Sequence, residues 1–222
     1  MLIVHHLNNS RSQRVLWLLE ELEVPYEIVR YQRGPDMLAP KELRAIHPLG
    51  KSPVITDNGN TIAESGAIVE YLVETYGNGR LIPPPKTPER LRYNYWLHYA
   101  EGSAMPPLVQ KLIFTVLPGR APAVLRPMFK MVMAQLLKNI VDPALRRHMA
   151  FWEGELQKSE WFAGDQMTAA DIQMSFPLEA ANARGGLANG HPKAMALLAR
   201  LQARPAYKRA LERGGPYAFA RD

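Results

Sequence analysis

The chain has 222 residues, 47% of them hydrophobic and 22% charged, with a formal net charge of +6 and no cysteine. That size and balance give one or two globular domains with a full core. They exclude a disulfide framework, a thiolate metal site and redox chemistry on a protein thiol. No apolar run approaches the roughly 18 residues that a membrane span needs, so no membrane role is expected. The opening "MLIVHHLNNS" lacks a basic region and a long apolar stretch, so it does not read as a secretion signal and the expected compartment is the cytoplasm. Basic residues are scattered through "RLRYNYW", "LRRHM" and "YKRALER". Nucleic-acid binding wants a stripe or a motif, so no nucleic-acid partner is expected. A mild positive field would still favour small anions.

In chain order, "LIVHHL" (2–7) reads as a strand. "SQRVLWLLEELEV" (12–24) places Val15, Leu18, Leu19 and Leu22 at helical spacing, and Pro25 stops it. "YEIVRY" (26–31) alternates and predicts a second strand. Residues 34–46 read as a loop with a short helix, "PKELRAI". "PVITD" and "NTIA" are strands joined at Asn58-Gly59, a strong type I′ turn signal. "SGAIVEYLVETYG" (65–77) predicts an amphipathic helix with Gly77 as its left-handed stop.

The Gly- and Pro-rich "GNGRLIPPPKTPER" (77–90) marks a change of layer. Beyond Pro88 no strand is expected. Residues 89–114 predict a long helix bent near Met105-Pro106-Pro107. Further helices are expected over 123–141, 143–159 and 168–184, with one or two more over 191–213. Thr168 and Asp171 form a capping box at the head of the fourth, with Phe162 or Met167 as a staple. The predicted organisation is an α/β domain of βαβ–ββα order, residues 1–80, followed by an all-α domain, residues 88–222.

Two features of the α/β half raise a question of purpose. Its third strand opens on a proline, Pro53, which gives up a backbone donor, and its last strand ends on Glu64-Ser65 beside the exposed amides of a helix start. Both make sense if the hairpin holds something peptide-like.

A βαβ–ββα unit with a proline opening its third strand resembles the thioredoxin fold, and the helical domain behind it narrows the resemblance to the cytosolic glutathione transferases. The matching stretches are "NNSRSQRVLWLLEEL" (8–22), "HPLGKSPVI" (47–55), "ESGAIVEYL" (64–72) and "FAGDQMTAADI" (162–172). They occur in the family's order and spacing, and their versions are similar to bacterial and fungal members. The resemblance implies that Pro53 is cis, which costs an X–Pro bond only about 0.5–1 kcal/mol. It also implies that the Ser52 backbone pairs with the cysteinyl backbone of glutathione like an added strand. Ser65, a good helix cap, and the amides of its turn would take the γ-glutamyl carboxylate, and Glu64 the ligand's ammonium. Lys51 would reach the glycyl carboxylate. His47 lines the same groove or packs in the loop.

Such enzymes lower the pKa of the ligand's thiol. A free thiol near ~8.5 is only a few per cent ionised at neutral pH. Lowering its pKa by about two takes roughly 2.7 kcal/mol of preferential stabilisation of the thiolate. A hydroxyl donor and a helix N-terminus can share that task. Serine-type relatives place the hydroxyl four residues before the arginine that opens the first helix, which here is Arg14 and gives Ser10. Ser12, as donor or as cap of the helix, and Asn9, as an amide donor, remain alternatives. No tyrosine or cysteine stands in this loop. That disfavours the tyrosine-type classes and the cysteine-type thiol-transfer members.

The second substrate of the family packs between the first loop and the long helix after the linker. The candidates are Leu7, Tyr99, Ser103, Met105, Leu108, Leu112 and Phe114. The six histidines lack ligand spacing and His5-His6 on one strand point to opposite faces, so no metal is expected. Two function classes follow. One is an enzyme that conjugates glutathione to small hydrophobic electrophiles or reduces hydroperoxides with it, acting in detoxification as a homodimer. The other is a non-catalytic glutathione-binding or stress-regulatory protein of the same fold.

Overall fold

In the computed structural model, residues 1–34 and 38–220 are described. Strand β1 (Leu2–Leu7), helix α1 (Ser12–Leu22) and strand β2 (Tyr26–Tyr31) make the βαβ unit. The short helix α2 (Lys41–Ile46) leads to β3 (Val54–Asp57), β4 (Asn60–Ala63) and α3 (Ser65–Tyr76). Positions 35–37 of the expected loop lie outside the described residues. The sheet order is β2-β1-β3-β4. β1 runs parallel to β2, with Leu2 opposite Tyr26, and antiparallel to β3, with Val4 opposite Ile55. Asn58 and Gly59 have φ of 49° and 80°, the two left-handed residues of a type I′ turn. The Ser52-Pro53 bond is cis.

From Pro88 the described chain is helical. Helix α4 (Pro88–Tyr99) passes through a π turn (Ala100–Ala104) into α5 (Met105–Arg120). Helix α6 (Arg126–Leu136) passes through a second π turn (Leu137–Val141) into α7 (Asp142–Leu156). Helix α8 (Ala169–Ala180) ends in a third (Ala181–Gly185), and α9 (Pro192–Gln202) and α10 (Pro205–Gly214) complete the set.

Three expectations change. The irregularity expected near Met105-Pro106-Pro107 is a π turn immediately before them. Prolines 106 and 107 bring no amide hydrogen, and the extra residue of the π turn takes up the mismatch. The helices expected over 123–141 and 143–159 run on without a break, and Pro143 falls in the first turn of α7, where its missing donor is tolerated. Gly77 is right-handed, with φ −74°. Its glycine is needed for space, since a Cβ there would lie 2.3 Å from the Val73 carbonyl oxygen. The left-handed residues are Asn78 and Gly79.

Val15, Leu18, Leu19 and Leu22 are all buried, and so are Leu16 and Trp17. Helix α1 is buried nearly all round, its polar Ser12, Gln13 and Arg14 included, because it is enclosed by the sheet, α3, α8 and α10. The Asp171 carboxylate accepts from the Thr168 amide (2.8 Å), the Thr168 hydroxyl (3.1 Å) and the Phe162 amide (2.9 Å). This capping box ties α8 to the buried Phe162.

Candidate active site

Because β1 and β3 are antiparallel neighbours, the loop after β1 and the residues before β3 come to one end of the sheet. Ser52 fastens them together. Its hydroxyl accepts from the Leu7 amide (3.3 Å) and donates to the His5 carbonyl (3.1 Å). A cleft of about 740 Å³ opens there. His47, Lys51, Ser52, Pro53, Glu64 and Ser65 all line it, and so does Leu7. Gly50, with φ 55°, makes the loop turn over Arg44, whose Cγ would lie 2.5 Å from an added Cβ. His47 has a buried Nδ1 with no partner among the described residues.

Glu64 and Ser65 do not make an ordinary helix cap. Glu64 holds the capping position with φ 70° and ψ 121° and no side-chain cap. That conformation costs a non-glycine residue about 1–3 kcal/mol. Ser65 is the first residue inside α3 and is buried. Its hydroxyl oxygen accepts from Arg14 Nη2 (3.3 Å) and Gln173 Nε2 (3.1 Å). With its acceptor capacity filled, the Ser65 hydroxyl keeps its hydrogen to donate.

Arg14, an alignment landmark in the sequence, is a buried hub. Its guanidinium donates to the Gln173 carbonyl (2.6 Å), to Ser65 and to Glu101 Oε1 (2.5 Å). Arg11 holds the same carboxylate with Nε at 3.0 and 2.8 Å. Burial pushes the Glu101 carboxyl up, but Arg14 and Arg11 outweigh it and hold it below the usual carboxylate range. Glu101 sits on the π turn of the α4–α5 rod and lines the cleft with Arg11, Arg33, Arg44 and Val109. Sequence reasoning missed these five. Arg11 and Arg14, three residues apart at the head of α1, were a legible signal, but nothing in the sequence pairs them with residue 101.

The thiol-activator candidates differ sharply in placement. Asn9 is exposed, with φ 49°, and its Oδ1 accepts from the Ala218 amide (2.8 Å). Ser10 and Ser12 are buried. The Ser10 hydroxyl lies 3.3 Å from the Ser52 hydroxyl and 2.7 Å from that of Ser12, and it accepts from the Ser12 amide (3.2 Å). Ser12 is inside the first turn of α1 and caps nothing, and its hydroxyl lies 2.8 Å from His6 Nδ1.

The expected electrophile side is largely closed. Leu7 lines the cleft. Tyr99 is buried, bonded to His148 Nδ1 and accepting from Trp152 Nε1 (3.0 Å). Met105 and Leu108 are in the helical core. Ser103 and Leu112 are exposed, and Phe114 packs half-buried against the core; none of the three lines the cleft. The apolar stripe after the π turn faces inward, and Val109 is the residue of α5 that meets the cleft.

The family model of the glutathione S-transferase N-terminal domain matches residues 1–74, and that of the glutathione S-transferase C-terminal domain matches residues 116–205. Glutathione S-transferase 3 of Schizosaccharomyces pombe is 38% identical over 185 residues, 82% of this chain and 74% of the relative. The chain belongs to the glutathione S-transferase family. Glutathione S-transferase 1 of Saccharomyces cerevisiae is 34% identical over 186 residues, covering 80% of each chain. A solved glutathione S-transferase from Actinobacillus pleuropneumoniae superposes with a TM-score of 0.77 at 29% identity, covering 100% of this chain and 97% of the other. The thioredoxin-like sheet domain with its helical partner is therefore the glutathione S-transferase fold, and glutathione transfer is the chemistry of this enzyme.

Proposed function

We propose that glutathione lies along the cleft with its backbone on Ser52-Pro53, its γ-glutamyl carboxylate on Ser65 and the start of α3, its ammonium at Glu64, and its glycyl carboxylate at Lys51 and His47. Residues 1–80 form the glutathione-binding domain and residues 88–222 the domain that borders the second substrate. The observation that carries this reading is that six residues chosen for one ligand line one cleft. The charge supports it too: with Arg11 paired to Glu101, Arg33, Arg44 and Lys51 still give the cleft basic groups for a ligand with two carboxylates. Ser10 is the thiol activator, supported by its place 3.3 Å from the Ser52 hydroxyl. The second substrate is a small hydrophobic electrophile taken between Leu7 and Val109, and a hydroperoxide could be reduced by the same thiolate. The enzyme works in cytoplasmic detoxification. No helix among the described residues is long and apolar enough to cross a membrane.

The protein is a homodimer in this reading, with the α/β domain of one subunit against the helical domain of the other. Exposed apolar side chains on the outer rods, among them Ile113, Val116, Met128 and Met131, support it. A Ser65→Ala variant tests the core of the proposal. Removing a hydroxyl from a charged partner costs about 1.5–3 kcal/mol of glutathione binding, measured by calorimetry. An unchanged dissociation constant overturns the assignment. Turnover of a chlorodinitrobenzene-type electrophile separates the enzyme from a purely glutathione-binding or stress-regulatory role.

A further inference from the structure

A line of four side chains runs from the interior of the sheet to the cleft floor. His6 Nδ1 is 2.8 Å from the Ser12 hydroxyl, Ser12 is 2.7 Å from Ser10, and Ser10 is 3.3 Å from Ser52. His6, Ser10 and Ser12 are buried, and Ser52 lines the cleft. Each hydroxyl has one hydrogen, so the direction of the line can be worked out from its ends. Ser52 gives its hydrogen to the His5 carbonyl. It therefore meets Ser10 as an acceptor, and the Ser10 hydrogen points toward Ser52 and the cleft. Ser10 then has no hydrogen for Ser12, so the 2.7 Å contact between them requires Ser12 to donate. Ser12 in turn has none left for His6 or for the Leu7 carbonyl 3.5 Å away, so His6 must donate from Nδ1. The opposite tautomer, protonated on Nε2, reverses the first two links and leaves the Ser10–Ser52 contact without a hydrogen. Nδ1 then accepts from Ser12, Ser12 accepts from Ser10, and the Ser10 hydrogen is turned away from the cleft.

We infer that His6 is a positioning residue for the thiol-activating hydroxyl: the hydrogen on its Nδ1 orders the line His6 to Ser12 to Ser10 and keeps the Ser10 hydrogen on the Ser52 side, where a bound thiolate would take it over from Ser52. The inference rests on the reading of Ser10 as the group that meets the thiol. The environment of the imidazole is consistent with a single ring hydrogen. Burial, with Arg30 adding to it, pushes the His6 pKa down to about 4, so the ring is neutral at physiological pH. Its Nδ1 tautomer is then a matter of hydrogen bonding alone. The second histidine is uninvolved, since His5 is taken up by the Tyr31 and Thr56 hydroxyls.

Nitrogen-15 chemical shifts of the ring of His6 in the wild-type protein at neutral pH test the tautomer directly. Nδ1 is expected to carry the hydrogen, and a hydrogen on Nε2 overturns the inference whatever any variant does. The second arm is the thiolate absorbance of bound glutathione titrated against pH. His6→Leu is expected to raise the thiol pKa by about one, a roughly tenfold loss of thiolate at neutral pH. His6→Asn, whose amide offers a donor near the Nδ1 position, is expected to restore most of it. A role limited to packing predicts the reverse ranking, with the apolar variant the better replacement. If Ser10→Ala moves the thiol pKa and His6→Leu does not, His6 has no positioning role and the Ser10 reading stands. If neither moves it, the Ser10 reading falls and takes this one with it.

Discussion

The two walls of the cleft are built on different principles. On the hairpin side the groups proposed to meet glutathione are fixed by backbone: a cis bond at Ser52-Pro53, a strained Glu64, and the first turn of α3. On the helical side the wall is made by side chains reaching across elements, Arg11 at the cap of α1 and Arg14 within it closing on Glu101 of the π turn. Backbone devices need particular residues at particular places. A wall of side chains needs only that distant helices arrive with the right rotation. The first wall is therefore written locally, and the second depends on the packing of the whole helical domain.

The sharpest way to break this comparison is to remove Glu101. If the helical wall is part of the fold, Glu101→Gln leaves the Arg14 guanidinium buried without its charge partner. Removing one member of such a pair costs about 3–5 kcal/mol. The lower end is expected here, because the Glu101 side chain is 30% exposed. The check is the urea midpoint of the variant, with glutathione affinity measured on the folded fraction. An unchanged midpoint together with a large loss of affinity would make Glu101 a ligand contact and merge the two walls.

The hairpin wall was legible for a physical reason. Only a residue pair tolerant of positive φ makes the turn at Asn58-Gly59, and only proline makes a cis bond cheap, while the cis bond itself and the ligand roles of Glu64 and Ser65 came from the family resemblance. The helical wall was not. Periodicity assumes 3.6 residues per turn, and the π turn at 100–104 inserts one extra residue. Everything after it is rotated by about 100° from the expected phase. Beyond it Met105 and Leu108 turn into the core and Val109 meets the cleft. Likewise nothing local marks the chain after α10. Yet Tyr217 reaches Glu179 at 2.5 Å and Ala218 reaches Asn9, fastening the end of the chain over the first loop.

That fastening gives a second, smaller test of the helical side. Glu179 is buried and accepts from the Tyr207 hydroxyl at 2.7 Å as well as from Tyr217. Burial pushes its carboxyl from 4.5 up to about 7, against the pull of the two hydroxyls. A folded pKa above the unfolded one gives stability that is full below the unfolded value and is lost as pH rises through the folded value. Wild-type stability from this group should therefore decline between about pH 4.5 and 7, by at most about 3 kcal/mol. Glu179→Gln, uncharged throughout, should remove that decline, so the difference in urea midpoints between the two proteins changes across the window. Parallel profiles would mean that Glu179 titrates in the fold much as it does unfolded.

The smallest expected effect is on chemistry alone, and it sharpens the comparison most. Ser10 belongs to neither wall. It lies beneath the hairpin side and touches the cleft through Ser52. If the ligand is held by the walls and only its thiol is tuned by Ser10, then Ser10→Ala should leave glutathione affinity nearly unchanged. The thiol pKa of bound glutathione should rise, seen in the thiolate absorbance titration. Conjugation at neutral pH should slow about tenfold, which is roughly 1.4 kcal/mol of transition-state stabilisation. The deficit should shrink as pH rises, since the thiol then ionises unaided. Asn9→Ala is the discriminating partner, because Asn9 stands in the same loop but gives its carbonyl to the Ala218 amide. A thiol pKa that moves in Asn9→Ala and not in Ser10→Ala makes the amide the activator. A parallel loss of affinity in Ser10→Ala would instead place Ser10 in the hairpin wall, holding the loop to Ser52 rather than tuning the sulfur.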